Sequence, residues 1–173
     1  MTVHLISPDP ALAATHASFI TEFQARGEAL MPWVLDESRS SFKAYVAWLR
    51  SAANGADLPP GFVAHSTFWL VNAAQEILGV TNIRHELTPA LREYGGHIGY
   101  GVRPSVRRRG HATELLRLSL VQARRLGINR VRVTCDCDNT ASASTILRNG
   151  GELDDEVYLD AVGHRVRRYW INN

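Results

Sequence analysis

Two hydrophobic periods alternate along this chain, about 3.6 residues in some stretches and two in others, and each switch marks an element boundary. Val3 to Ile6 is a short apolar run that predicts a first strand. Asp9 then supplies an N-cap and Pro10 a first-turn residue. Leu12, Phe19, Ile20 and Phe23 repeat at helical spacing up to about Arg26, and Gly27 stops the helix. Ala29 to Leu35, containing Met31-Pro32-Trp33, is apolar but aperiodic. A second helix runs from near Ser40 to Gly55 on Phe42, Tyr45, Val46, Trp48 and Leu49, and Pro59-Pro60-Gly61 breaks the chain after it. These two helices read as a cap over one edge of a sheet.

From Ser66 the period drops to two. Ser66 to Asn72 and Ile77 to His85 predict a hairpin around Ala73-Ala74-Gln75. Thr88-Pro89 opens a short helical turn that Gly95-Gly96 ends, and His97 to Val102 is the next strand. A long amphipathic helix then runs from about Gly110 to Leu126, with Gly127 as its C-terminal stop. Val131 to Cys135 is a strand, and Asn139 starts a helix that ends near Asn149-Gly150-Gly151. Two last strands, near Leu153–Leu159 and Val166–Ile171, are joined by a turn at Asp160 to Gly163. No repeat, low-complexity tract or linker interrupts the pattern. It predicts a single α+β domain over residues 1–173, with a mixed, mostly antiparallel central sheet of about seven strands and about four flanking helices.

Composition narrows the class. The 173 residues are 45% hydrophobic and 21% charged, enough for one packed core. A net charge of +2 gives no overall field for nucleic acid or membrane. Basic residues nevertheless cluster at 103–109, 124–132 and 165–168, while Asp and Glu gather at 152–156, as in a solvated loop or strand edge. Cys135 and Cys137 stand too close for an unstrained disulfide and do not make a secreted framework, so they read as free thiols used for packing. Their spacing also lacks the paired-ligand pattern of a metal site, and no metal is expected. The N-terminus lacks a signal-peptide pattern, and no apolar run approaches the ~20 residues a membrane span needs. A cytoplasmic protein is expected, with no membrane partner.

The chemistry concentrates in Gly99-Tyr-Gly-Val-Arg-Pro-Ser-Val-Arg-Arg-Arg-Gly-His-Ala-Thr113. An apolar strand runs into a turn with three arginines, and a helix starts at once. The first N–H groups of a helix lack intrahelical partners and carry partial positive charge. Gly110 and Ala112 allow a phosphate to approach the backbone, and arginine adds paired contacts to its oxygens. On spacing alone, Arg107-x-x-Gly110-x-Ala112 suits either an anion site or an ordinary basic turn. It is neither a Walker loop nor a dinucleotide fingerprint, since the lysine of the first and the glycines of the second are absent. The arginine run lacks the aromatic platform of a single-strand binder, so nucleic acid is not an expected partner.

The strand–turn–helix unit resembles the acyl-CoA-binding core of the GCN5-related N-acetyltransferases (GNAT). That family's signature, Arg/Gln-x-x-Gly-x-Gly/Ala, comes directly after its fourth strand and opens its third helix, and Arg107, Gly110 and Ala112 match it. Downstream, Asn139-Thr-Ala-Ser142 and Gly150 match the family's Asn, Ser and closing Gly around its fourth helix. Element order agrees along nearly the whole chain, most closely from 77 to 151. The segment Gly99 to Pro104 with Gly110 to Leu115 is most similar to the branch holding the ribosomal-protein N-terminal acetyltransferases.

The resemblance implies acetyl-CoA as acyl donor and an amine as acceptor. It implies that backbone groups of Tyr100 to Val102 pair with the pantetheine arm, with the Val102 N–H polarising the thioester carbonyl. The N–H groups of Arg108, Arg109, Gly110, His111, Ala112 and Thr113 would cradle the pyrophosphate. Arg103 and Arg107 to Arg109 would compensate its charge. Asn139 would hydrogen-bond the arm, with Ser142 beside it. Family members are often homodimers.

The chain departs from the family where a tyrosine often protonates the leaving thiolate; the residue here is Ile146. Ser142, Ser144 and Tyr169 are the alternative donors. Glu86 and His97 flank the turn between the third and fourth strands and are candidate bases, or else a solvated carboxylate and a polar strand-start residue. Met31 and Trp33 could line the acceptor pocket. Glu28, Asp36, Glu37, Glu86 and Glu93 lie in the acceptor-side loops and would suit a cationic acceptor. Ile146 also leaves open an acyl-CoA-binding sensor without turnover.

Overall fold

The computed structural model describes residues 2–173. Its strands and helices keep the predicted order: β1 (Val3–Ile6), α1 (Ala13–Ala25), α2 (Phe42–Ala52), β2 (His65–Asn72), β3 (Ile77–Arg84), α3 (Pro89–Glu93), β4 (Ile98–Val102), α4 (His111–Arg125), β5 (Arg130–Asp136), α5 (Thr140–Arg148), β6 (Gly151–Leu159) and β7 (His164–Asn172). Side-chain caps set several starts. Ser41 Oγ accepts the Ala44 N–H at 3.1 Å, Thr88 Oγ1 accepts from Leu91 at 3.2 Å and Asn139 Oδ1 accepts from Ser142 at 3.0 Å. The predicted turn at Thr88 is the short α3, which makes a fifth α-helix among the described residues.

The seven strands hydrogen-bond as two sheets, β1-β2-β3-β4 and β5-β7-β6, with every pair antiparallel. Alternation along β2 supplies both faces of the first sheet. Trp69 and Val71 pack with Phe19, Phe23, Tyr45 and Trp48 under α1 and α2. Leu70 packs with Leu115 of α4 on the other face. A further core joins Leu116 and Leu120 of α4, Ile146 of α5, and Val131, Val133, Tyr169 and Ile171 of the second sheet. Burying each such side chain contributes roughly 1.5–3 kcal/mol.

The acidic stretch at 152–156 lies on β6, an edge strand, and its carboxylates reach the arginines of β5 and β7. Glu156 accepts from Arg165 at 2.9 Å and Arg167 at 3.1 Å, and Asp155 pairs with Arg168. The register shifts between Leu153 and Asp155, and Asp154 meets Arg132 at 2.6 Å. The arginine cluster at 165–168 is thus matched to carboxylates of this chain.

Hydrogen bonds tie the two sheets together just before β4. The His97 N–H donates to the Arg132 carbonyl at 2.8 Å, and the Arg132 N–H donates to His97 Nδ1 at 2.9 Å. Among the described residues no strand pairing joins β4 to β5 beyond that clamp. A cleft opens there.

Candidate active site

Backbone geometry prepares the start of α4 for an anion. Arg108 (φ 64°) and Gly110 (φ 83°) are both left-handed, and Gly110 caps the helix without a side-chain hydrogen bond. The first intrahelical bond runs from the Glu114 N–H to the Gly110 carbonyl at 3.1 Å, leaving the N–H groups of His111, Ala112 and Thr113 free. A cavity of about 490 Å³ lies here, lined by Arg108, His111 and Thr113 on one side and by Thr140, Ser144 and Arg148 of α5 on the other. Burial, and then Arg109, lowers the His111 pKa.

The exposed edge of β4 carries the next step. The Arg84 N–H donates to the His97 carbonyl, and the Arg103 N–H donates to the Leu78 carbonyl. In that antiparallel alternation Gly99 and Gly101 bond to β3, while Tyr100 and Val102 turn their backbone groups toward the cleft. Arg107 fixes the strand end: its Nε donates to the Val102 carbonyl at 3.1 Å, and its guanidinium grips Glu28 at 3.0 and 2.6 Å. Gly101 allows the 31–33 segment to lie against β4, because a Cβ there would overlap the Met31 carbonyl.

Connected cavities extend the site. The pocket at α4 shares Val102, Arg107, Ala112 and Thr145 with a cavity of about 320 Å³ between β4 and α5. That cavity shares Met31, Tyr100, Asn139 and Ser142 with one of about 360 Å³ between β4 and β5. This in turn shares Trp33, Arg84 and Leu91 with an apolar cavity of about 340 Å³ under Phe62 and Val63. A trough thus runs from an anion site, through the gap between the sheets, to an apolar chamber.

At the middle of the trough, Tyr100 Oη and Ser142 Oγ lie 2.9 Å apart. Burial raises the Tyr100 pKa to about 12, so its phenol is a protonated donor. Cys135 lines the same cleft, and burial raises its thiol to about 11, which leaves little thiolate at neutral pH. Asp136 is the sole carboxylate on this cavity's wall among the described residues. Its Oδ1 meets His164 Nε2 at 2.9 Å and Tyr94 Oη at 3.4 Å, and Oδ2 has no protein partner among the described residues.

Most residues predicted for the donor converge. Tyr100, Val102, Arg107, Arg108, Gly110, His111, Ala112, Thr113, Asn139 and Ser142 all line the trough. Asn139 spends its Oδ1 capping α5, which leaves its amide nitrogen as a donor. Arg103 lies elsewhere: it is buried against α1, meeting Glu22 at 3.2 Å and the Thr15 carbonyl at 3.2 Å, and lines none of these cavities. Arg109 is exposed and outside them too. Of the candidate bases, Glu86 is exposed on the bend after β3. His97 is buried, its Nδ1 is taken by Arg132, and burial, then Arg92 and Arg84, lowers its pKa to about 4. It is a clamp between sheets and a poor base at neutral pH. Ile146 is fully buried against Gly151, and Tyr169 is a core residue. Sequence reasoning missed Arg84, Asp136 and Arg148, whose roles depend on which strand ends and helix faces meet across the gap.

Comparison with known proteins agrees with this geometry. A family profile described as the acetyltransferase (GNAT) domain matches residues 7–152. No protein of curated function matches the sequence significantly. Among solved structures, the chain is similar to the acetyltransferase of Salmonella typhimurium that modifies the N-terminal serine of ribosomal protein L7/L12 (20% identity, TM-score 0.67, covering 100% of this chain and 96% of that one). It is also similar to the microcin C7 self-immunity acetyltransferase MccE in complex with acetyl-CoA and AMP (15% identity, TM-score 0.67, covering 99% and 92%). A third is a variant of the spermidine N-acetyltransferase SpeG from Vibrio cholerae (13% identity, TM-score 0.63, covering 99% and 95%). With the profile spanning most of its length and the donor motif at the mouth of a cleft between two sheets, the chain belongs to the GNAT family of acetyl-CoA-dependent N-acetyltransferases.

Proposed function

We propose that this enzyme transfers the acetyl group directly from acetyl-CoA to an amine bound on the far side of the gap between β4 and β5. The observation that carries the reading is the unbroken trough from the free N–H groups of α4 to the Tyr100–Ser142 pair. In this reading the helix start takes the pyrophosphate, aided by Arg108 and Arg148, and the pantetheine arm runs along the free edge of β4. The Val102 N–H faces the developing oxyanion, an interaction that is typically worth a factor of about 10²–10³ in rate.

The neutral amine nitrogen attacks the carbonyl carbon. A C–N bond forms, the C–S bond breaks, and its electron pair leaves on sulfur. The amine's proton passes to Asp136 directly or through water, in place of Glu86 or His97. The thiolate takes a proton from Tyr100 through Ser142, which supplies the acid that Ile146 cannot. A high thiol pKa at Cys135 speaks against an acyl-enzyme. Two free cysteines fit a reducing, cytoplasmic setting.

Two-substrate kinetics of thiol release from acetyl-CoA test this reading. Intersecting double-reciprocal lines are expected from a ternary complex. Parallel lines, with acetyl retained on Cys135, would contradict it.

A further inference from the structure

The acceptor end of the trough is built around one cation. Arg84 ends β3 and is largely enclosed, and its Nη1 donates to the carbonyls of Gly95 (3.1 Å) and Gly96 (3.0 Å). Its Nε and Nη2 make no hydrogen bond, and no carboxylate lies within 4.0 Å, among the described residues. Burial alone lowers its pKa, to about 10. Enclosed charges are ordinarily paired, so an unmatched guanidinium is itself a statement about what binds. A Cβ on Gly99 would stand 4.0 Å from both Nη atoms, so the fork lies beside β4.

Arg84 lines the last two cavities of the trough. On one side is the cleft with Tyr100, Ser142 and Asp136. On the other is the apolar chamber walled by Trp33, Phe62, Val63 and Leu91. Three of the five carboxylates that suggested a cationic acceptor are engaged elsewhere: Glu28 by Arg107, Glu37 by Arg39 and Glu93 by Arg168.

We infer that the acceptor is a free α-amino acid with an apolar side chain: its carboxylate bound by Arg84, its side chain in the Trp33–Phe62 chamber, its amine in the cleft near Asp136. The assignment rests on the proposed acetyl transfer and adds the acceptor's class. Arginine matches a carboxylate with two parallel donors, and its charge disfavours a polyamine in the same place. The reaction is C–N bond formation at the α-nitrogen with loss of its proton, giving the N-acetyl amino acid and coenzyme A.

The test is thiol release by the wild-type protein with phenylalanine, leucine, phenylalanine amide, phenethylamine and spermidine as acceptors. The free amino acids should exceed the amide and the decarboxylated amine in kcat/KM by at least about tenfold, the usual weight of a charge-assisted contact. Arg84→Gln should raise the KM for phenylalanine by a similar factor with a smaller change in kcat. Phe62→Ala, at the half-exposed rim, should erode the preference for apolar side chains and leaves the Gly95–Gly96 contacts of Arg84 intact. Equal or better turnover of the amide or spermidine would overturn the inference, as would coenzyme A binding without acceleration by any apolar amino acid. Failure to bind coenzyme A at all would instead remove the acetyl-transfer reading beneath it.

Discussion

One tyrosine often protonates the leaving thiolate in this family; Ile146 stands at that position here, and the proposed donor is Tyr100. Ile146 has no exposed surface and packs on Gly151, so its position faces the core and not the cleft. Ile146→Tyr should therefore fail to supply an acid and should cost about 1–3 kcal/mol by overpacking, read as a lowered midpoint of chemical unfolding. Tyr100→Phe removes only the hydroxyl that meets Ser142. It should lower kcat by roughly ten- to a hundredfold with little change in the KM for acetyl-CoA, and unchanged kcat would assign the proton donor elsewhere. The donor motif was legible in the sequence because its residues are contiguous and their spacing is set by one helix turn. Arg84, Asp136 and Tyr100 were not legible as a group, since they come from three different strands and meet only across the gap. His97 reads from the sequence as either a base or a polar strand-start residue, and only the bond from the Arg132 N–H to its Nδ1 on the neighbouring strand favours the second.

Among the elements, the start of α4 and the free edge of β4 form the proposed donor site. Gly110 is left-handed at φ 83°, and a Cβ there meets nothing within 4 Å, so Gly110→Ala tests backbone conformation alone. It should cost about 1 kcal/mol and a few degrees in Tm, and should weaken coenzyme A binding several-fold by turning the free N–H groups away. Gly101→Ala would push the Met31 segment off β4 and should raise the acceptor KM. An Ala variant at Gly101 with unaltered kinetics would detach that segment from the acceptor site. Each strand and helix was legible from hydrophobic period and capping residues. What the period could not give is that the predicted central sheet hydrogen-bonds as two, because pairing partners are set by twist and by the His97–Arg132 clamp, not by local pattern.

At the scale of the whole molecule, three enclosed histidines couple the fold to pH. His16, His65 and His97 each have a pKa lowered from 6.5 to about 4 by burial, reinforced at His65 by Arg84 and His85 and at His97 by Arg92 and Arg84. Each is neutral in the fold, so its contribution is complete above the unfolded pKa of 6.5 and is lost as pH falls toward about 4. Denaturant titrations should show stability falling across that window by up to about 3 kcal/mol per histidine, and a flat profile there would refute the burial account. The same two-sheet arrangement that encloses His97 opens the trough from the start of α4 to the apolar chamber. Calorimetric titration of coenzyme A into the folded protein tests that arrangement most directly. Saturable one-to-one binding that Gly110→Ala weakens several-fold is the expected result; a folded protein that takes up no coenzyme A would contradict it.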